Sequence, residues 1–395
     1  MKILVLGGAG MMGSGSIRDL LGEFSDNEHQ IVASDFSQPA LDRLPDHPRL
    51  SRVVGDVGDP EQLARLLEDC DLCINGVPTF AGHQMTIFEA CLRAGRSYVD
   101  YGGMGVYTVQ QKAFHRQFQE QGVTAVIGLG ADPGLSNVIC RACADRLDEI
   151  DSINLYWTST ILGPESPALE PPYSPSTILA EYANPSQQFL EGELREMPPR
   201  AGEETWELPE PFGKTTFMFS QHSEPLTVPF AAGIADKGIK EFTWRLALPQ
   251  EQHQAWLNLV KAGFGDFDSP VTLADGHQVK PLEVLQKVMQ RHLQRHRPEM
   301  PTQESHELHF AVGKGRKAGL NTTVTVRVLG SPHSLYEDYV DASTSMNMSI
   351  GVQQILKNSL RPGVWAPEEY FDVQAYLREV ERRHFKVSVE TVILE

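Results

Sequence analysis

An α/β fold, in which a doubly wound parallel sheet is followed by a mixed-sheet second domain, is predicted by three features of the sequence. An apolar run, Met1 to Leu6, ends in Gly8-x-Gly10-x-x-Gly13 and opens a segment of helical spacing. From Met1 to about Gly128, short apolar runs alternate with amphipathic segments, the rhythm of parallel strands joined by crossover helices. From about Leu129 that rhythm gives way to alternating strand-like runs, and 395 residues exceed what one hydrophobic core supports.

The first turn carries the dinucleotide-binding fingerprint of a Rossmann domain. Gly8, Gly10 and Gly13 let backbone approach a pyrophosphate, which then sits with Met11 and Met12 at the positive end of the helix. The second strand, from Gln30, ends in Asp35, 22 residues beyond Gly13, where an acid grips the adenosine ribose hydroxyls. A carboxylate there repels a 2′-phosphate, so NAD is favoured, with NADP admitted only if Arg43 or Arg52 folds toward the pocket. The third run, Arg52 to Asp56, precedes Asp59-Pro60-Glu61-Gln62, a helix start with an N-cap acid and a proline at the first position. That helix runs to Leu67. The fourth strand, Leu72 to Asn75, ends at Asn75-Gly-Val-Pro78; a helix from about His83 to Ala94 is closed by Gly95. Strand five is Ser97 to Asp100. An amphipathic segment from Thr108 to Gln121 leads to strand six, Val123 to Ile127.

Beyond Leu129, the runs starting at Ser152, Glu241, Glu307 and Thr322 read as antiparallel strands, the last two forming a hairpin around Gly313 to Gly319. A proline-rich stretch spans Gly163 to Pro175. After about Asp341 a helical segment returns, with apolar Met346, Ile350, Val352, Ile355, Leu356 and Leu360, and is expected to pack back on the first domain. The expected division is therefore residues 1–130 plus 342–395 for the dinucleotide-binding domain, with an inserted α+β mixed-sheet domain at 131–341.

Thirty-four basic against fifty-two acidic residues give a net charge of −18, which disfavours nucleic acid and anionic membrane as partners. The five cysteines are too few and odd in number for a disulfide framework, and a reducing cytoplasm fits them. Cys70-x-x-Cys73 straddles the start of a buried strand and reads as core packing, so no metal site is expected. The apolar start is the first strand and too short for a signal peptide; no run approaches a membrane span.

In a doubly wound sheet the ligand lies outside the carboxyl ends of the strands. Asp56 and Val57 then meet the adenine, and Asn75, Val77 and Pro78 the nicotinamide ribose and ring. Asp100-Tyr-Gly-Gly103 and Gly130-Ala-Asp-Pro-Gly-Leu135 line the substrate side. The latter enters a helix near Ser136, whose amides suit a carboxylate, while Asp132 suits an amine.

The glycine fingerprint, Tyr98-Val-Asp100, Gly130-Ala-Asp-Pro-Gly134, Pro172-Tyr-Ser-Pro-Ser176, His222-Ser-Glu-Pro-Leu-Thr227 and Gly363-Val-Trp-Ala-Pro-Glu-Glu369 together resemble the saccharopine dehydrogenase-like family. That family includes saccharopine reductases, carboxynorspermidine dehydrogenase and lysine 6-dehydrogenase, and the Pro-Tyr-Ser-Pro and His-Ser-Glu-Pro segments are most similar to the last branch. The resemblance implies a first domain completed by the C-terminal helices and a substrate domain whose sheet makes a homodimer or higher homo-oligomer. It also implies NAD(P)-linked chemistry at a carbon–nitrogen bond. Gly163 to Pro171 and Gln290 to Glu304 match none of its motifs. The sequence offers no arginine pair that can be placed against a dicarboxylate, and Arg245 is the one candidate near a second-domain strand.

The expected activity is oxidative deamination of a small lysine-like primary amine or amino acid, with Asp100, Asp132, Tyr173, His222 and Glu224 as the substrate-side cluster. His222 serves as the base near neutral pH, and Glu224 or Asp132 pairs an ammonium. Two alternatives remain. One is reductive condensation of an amine with an aldehyde or keto acid, as in carboxynorspermidine or saccharopine reductases; the other is a non-catalytic nucleotide-binding regulatory protein.

Overall fold

A computed structural model describes residues 1–25, 28–164, 166–299, 303–330, 342–358 and 360–394. The first half alternates strand and helix: β1 (Lys2–Leu6), α1 (Met11–Leu21), β2 (Gln30–Asp35), α2 (Gln38–Leu41), β3 (Leu50–Val54), α3 (Pro60–Glu68), β4 (Leu72–Asn75), α4 (Gln84–Ala94), β5 (Ser97–Asp100), α5 (Thr108–Lys112), α6 (His115–Gln121) and β6 (Thr124–Val126). α7 (Leu135–Ala144) and β7 (Glu149–Leu162) follow, then α8 (Pro175–Ala183), β8 (Ser186–Leu190), β9 (Glu193–Met197), β10 (Glu204–Glu207), β11 (Lys214–Phe219), β12 (Glu241–Ala247) and α9 (Gln250–Lys261). A two-stranded excursion, β13 (Val271–Thr272) with β14 (Gln278–Val279), leads through α10 (Pro281–His296) to the hairpin β15 (Glu304–Lys317) and β16 (Leu320–Gly330). The chain continues with α11 (Ala342–Lys357), β17 (Gly363–Trp365), α12 (Pro367–Tyr370), α13 (Val373–Arg382) and β18 (Lys386–Leu394).

Two sheets result. The first is all parallel, in the order β17-β6-β5-β4-β1-β2-β3. Strand order reverses between β1 and β4, and a dinucleotide lies at such a switch point. The second is mixed: β12 and β7 run parallel, while β10-β11, β7-β15, β15-β16 and β16-β18 pair antiparallel. The doubly wound domain and the mixed-sheet domain expected from the sequence are both present.

Local chemistry explains most boundaries. Asp59 caps α3 by accepting from the amides of Glu61 and Gln62, ahead of Pro60. Strand three stops at Val54 rather than Asp56, because the Asp56 carboxylate takes the Gly58 N–H at 2.8 Å and its own N–H goes to Gln62 Oε1. The helix expected over Thr108 to Gln121 is broken in two. Phe114, at the break, turns edge-on against Phe88, with ring centroids 5.7 Å apart. Cys70 and Cys73 are buried thiols, as core packing requires.

The tail divides between the domains. α11 lies against α1, where Ser345 Oγ donates to the Met12 carbonyl at 3.0 Å, and β17 adds a seventh strand beside β6. β18, in contrast, pairs with the outer edge of β16 from Asn321 to Leu329. Segment 342–395, assigned whole to the first domain on sequence grounds, thus also supplies an edge strand of the second sheet, because the β15–β16 hairpin leaves that edge unpaired. The boundary expected at 341 lies outside the described residues. One buried pair secures this return: Arg383, just after α13, donates through Nε and Nη2 to the two oxygens of Asp19 on α1, each at 2.8 Å. Both side chains are fully buried. Removing one member strands the other's charge, so Arg383→Ala is expected to cost about 3–5 kcal/mol in denaturant unfolding. A change below about 1 kcal/mol would show that the pair does not hold the tail.

Candidate active site

The glycine turn admits no other residue. A Cβ on Gly13 would lie 2.4 Å from the Gly7 carbonyl oxygen, and one on Gly8 would lie 2.9 Å from that of Val5. No side chain caps α1, which leaves its first amides for an anion. Met11 and Met12 open that helix, and Tyr101 reaches across to it, its hydroxyl bonded to Ser16 Oγ at 2.7 Å and the Met12 carbonyl at 3.0 Å. Asp35 stands at the end of β2 and accepts the Ser37 N–H at 3.1 Å. Arg52 is committed elsewhere, to the carbonyls of Leu44 and Pro45 and to the Asp46 carboxylate. Asp56 is exposed and Val57 half-buried after β3. After β4, Val77 is half-buried and Pro78 exposed, while Asn75 is buried beneath them. Asn75 Oδ1 accepts the Val77 N–H at 3.1 Å and its amide donates to Tyr98 Oη at 3.0 Å, so it shapes the turn from below. These residues fit a dinucleotide cradle.

On the substrate side, two acid–histidine pairs come together. Glu224 is fully buried; Oε2 lies 2.6 Å from His222 Nδ1, and Oε1 accepts Ser136 Oγ at 2.6 Å. The His222 ring stacks on Trp244, centroids 3.9 Å apart and planes 6° from parallel. Burial opposes charge on this ring, but Glu224 outweighs it, aided by Glu181 and Asp132, and the pKa is raised. The second pair ties the loop after β6 to the second sheet: Asp132 Oδ2 lies 2.6 Å from His309 Nδ1 on β15. Glu307 Oε2 flanks the other ring nitrogen at 3.2 Å. Burial alone would discharge His309, yet Asp132 and then Glu307 push it up to about 10. Asp132 Oδ1 is buried and has no hydrogen-bond partner among the described residues. Tyr173 donates to Glu181 at 2.5 Å and packs edge-on against Trp157, which contacts the His309 ring.

Several sequence expectations are corrected. Asp100 is not part of the open cluster. Its Oδ1 takes the amides of Gly102 and Gly128, and its Oδ2 takes Gln84, Tyr98 and Gln111, all at 2.7–2.9 Å. Five donors saturate the carboxylate, and it ties the loops after β5 and β6 together. The α7 N-terminus does not offer its amides to a carboxylate, because the Gly134 N–H goes to Asn137 Oδ1 and those of Leu135 and Ser136 go to Gly130 and Ala131. Arg245 is likewise spent, donating to the Gly202 carbonyl and to Thr243 and lying over the Phe219 ring. Of the expected residues, Asp132 is paired with His309, Tyr173 with Glu181, and His222 and Glu224 with each other, with Trp244 and Ser136 against them; His309, Glu181, Ser136 and Trp244 were not singled out from the sequence.

The family model described as the saccharopine dehydrogenase NADP binding domain matches residues 3–126, and that of the saccharopine dehydrogenase C-terminal domain matches residues 130–385. A carboxynorspermidine synthase of Vibrio cholerae serotype O1 is 28% identical over 259 residues, covering 58% of this chain and 56% of its own length. A carboxyaminopropylagmatine dehydrogenase of Synechocystis is 24% identical over 212 residues, 50% of this chain and 51% of its own. The chain thus spans about half the length of the curated relatives it matches. Among solved structures, the saccharopine dehydrogenase (L-Glu forming) of Saccharomyces cerevisiae superposes with a TM-score of 0.73 over 99% of both chains at 13% identity. A homospermidine synthase of Legionella pneumophila in complex with NAD gives 0.67 over 99% of this chain and 91% of its own, at 14% identity. At these identities the superpositions show the fold.

The His309 pair generates a prediction with a definite sign. A ring raised from 6.5 to about 10 by folding contributes stability that is fully present below about pH 6.5 and is lost as pH rises toward 10. The melting temperature is expected to fall across that window in the native chain, and Asp132→Asn should flatten the fall. An unchanged slope in the variant would show that Asp132 does not hold the proton.

Proposed function

The chain belongs to the saccharopine dehydrogenase family, and we propose that it is an NAD(P)-dependent oxidoreductase acting at a carbon–nitrogen bond of an amine or amino acid. The observation that carries this reading is the buried cluster itself. The partners of Asp132 and Glu224 are histidines and a serine hydroxyl, and Asp132 Oδ1 is buried with no partner among the described residues, so a donor with its own protons, an amine, suits it.

Gly8, Gly10, Gly13 and the start of α1 hold the pyrophosphate in this reading, with Asp35 on the adenosine ribose and Val77 and Pro78 at the nicotinamide end. Asp35, with Arg52 turned away, supports NAD over NADP. When bound, the nicotinamide supplies or accepts the hydride. Glu224 fixes His222 through Nδ1, leaving Nε2 as its proton-transfer atom. Asp132 Oδ1 orients the substrate nitrogen, and Trp244, Trp157 and Tyr173 exclude water around it.

The name of the Vibrio cholerae relative, a synthase, supports the reductive direction. There an amine nitrogen attacks the carbonyl carbon of an aldehyde or keto acid and water leaves. The resulting C=N bond takes a hydride at carbon, and the nitrogen takes a proton from His222. Oxidative deamination of a lysine-like amine, the lysine 6-dehydrogenase activity, is a second reading favoured by Asp35, since NAD suits oxidation. A cytoplasmic location accords with five free, buried thiols. No described helix is long and apolar enough to cross a membrane. A homodimer through the second sheet accords with β18, an edge strand that exposes Val389, Val392 and Ile393.

Absorbance of the reduced cofactor tests the reading. Purified protein is expected to consume NADH with a diamine plus an aldehyde or keto acid, or to form it from lysine at alkaline pH, more readily than with the phosphorylated cofactor. His222→Ala and Glu224→Gln should each lower kcat/KM by about 10²–10⁴ while NADH binding is kept. Silence in both directions, with NADH still bound, would favour the regulatory reading. Light scattering should give twice the 43.9 kDa chain mass, and a monomer would remove the dimer.

A further inference from the structure

Glu368, on α12, is absent from the cluster above, yet it is buried within one side chain of it. Its Oε2 accepts from Asn137 Nδ2 at 2.8 Å, and its backbone carbonyl accepts from Arg141 at 3.3 Å. Asn137 is a crossing point. Its Oδ1 holds the Gly134 N–H at 2.9 Å and faces Ser136 Oγ at 3.4 Å, while Nδ2 also reaches Thr227 Oγ1 at 3.3 Å. Ser136 and Thr227 belong to the two segments that grip Glu224: Ser136 through its hydroxyl, Thr227 through its N–H on the Glu224 carbonyl. Asn137 Nδ2 is thus shared between Glu368 and the Thr227 hydroxyl and links the two. The other oxygen of Glu368, Oε1, is buried without a partner among the described residues. Burial, then the neighbouring Glu369, pushes its carboxyl up to about 7, and Lys112, paired with Glu369, acts in the opposite sense. A buried carboxyl half satisfied by hydrogen bonds is costly to keep, and here it sits behind the histidine pair.

We propose that Glu368 is a positioning residue: by clamping Asn137 and Thr227 it fixes the α7 start and the Glu224 turn relative to each other, and so sets the grip of Glu224 on His222. The proposal rests on the function above only for the use to which His222 is put. The grip itself is a property of the free protein.

The test reads His222 directly. Ring signals of histidine-labelled protein, with His222 assigned by loss in His222→Gln, are followed by NMR through a pH titration. Glu224, Glu181 and Asp132 face that ring in every variant, so only the clamp changes. Glu368→Gln keeps an acceptor for Asn137 and is expected to titrate as the native chain does. Glu368→Leu loses it, and the His222 midpoint should fall by about one pH unit as Glu224 loosens. Asn137→Leu cuts the same link from the other side, should give the same fall, and serves if the first variant does not fold. An unmoved midpoint in either folded leucine variant overturns the proposal. So does an equal fall in Glu368→Gln, which would assign the effect to charge rather than to position. Because no substrate is used, failure of the enzymatic assays leaves this readout intact.

Discussion

The arrangement depends on one helix that has no exposed side to give. Nine of the ten residues of α7 are buried, Arg141 being the exception, because the helix lies between the second sheet and the returning segment α12–α13. A helix buried on nearly every face, its serine and asparagine included, belongs to the interior, and it cannot slide without disturbing the packing on both sides. Its entry is equally constrained: Gly134 has φ +133°, and a Cβ there would meet the Gly130 oxygen at 2.0 Å. Ser136 and Asn137 ride on this first turn. The site therefore inherits its geometry from packing, since the side chains that orient Glu224 are anchored in core.

Electrostatics then impose pairing. Glu224, Glu181 and Glu368 are almost wholly buried, and an unpaired carboxylate in such surroundings costs several kcal/mol by ordinary desolvation. Glu224 meets this with an imidazole and a serine hydroxyl, Glu181 with the Tyr173 hydroxyl and Glu368 with the Asn137 amide. Imidazole pairs a charge while remaining able to give up its proton, and a fixed guanidinium does not. That choice separates a structural pair such as Asp19–Arg383 from the pair at the site.

Much of this was legible in the sequence, and the exceptions share a cause. The fingerprint, Asp35 and the strand-end acids follow from local spacing, because backbone geometry at a glycine turn is a nearest-neighbour property. Asp132, His222, Glu224 and Tyr173 were singled out because each sits in a motif that carries the family resemblance. Asp100 sat in an equally suggestive one. Its saturation depends on Gln84 and Gln111, which reach it from two separate helices, and no local pattern reports that. His309 was passed over within the alternating run Glu307 to Val312. There Leu308, Phe310 and Val312 fill one small core while Ala311 enters the main one. With both faces of the strand buried, an ionisable side chain had to have a partner, and that was the available signal. The double use of the tail was likewise hidden, since the segment after Asp341 read only as helical, and nothing local reveals β17 and β18 or says which sheet each joins.

That double use governs how the chain is born. β17 and β18 follow every other strand, yet each completes the edge of a different sheet, pairing with partners made much earlier. During synthesis both sheets wait with an open edge, and the turn bearing Glu224 waits for α12. Assembly of this kind is dominated by non-local contacts, which raise the entropic barrier and prolong the exposure of unpaired strands. A chain stopped before β17 would carry the full cofactor fingerprint and the whole acid–histidine cluster while lacking the segments that close the two sheet edges.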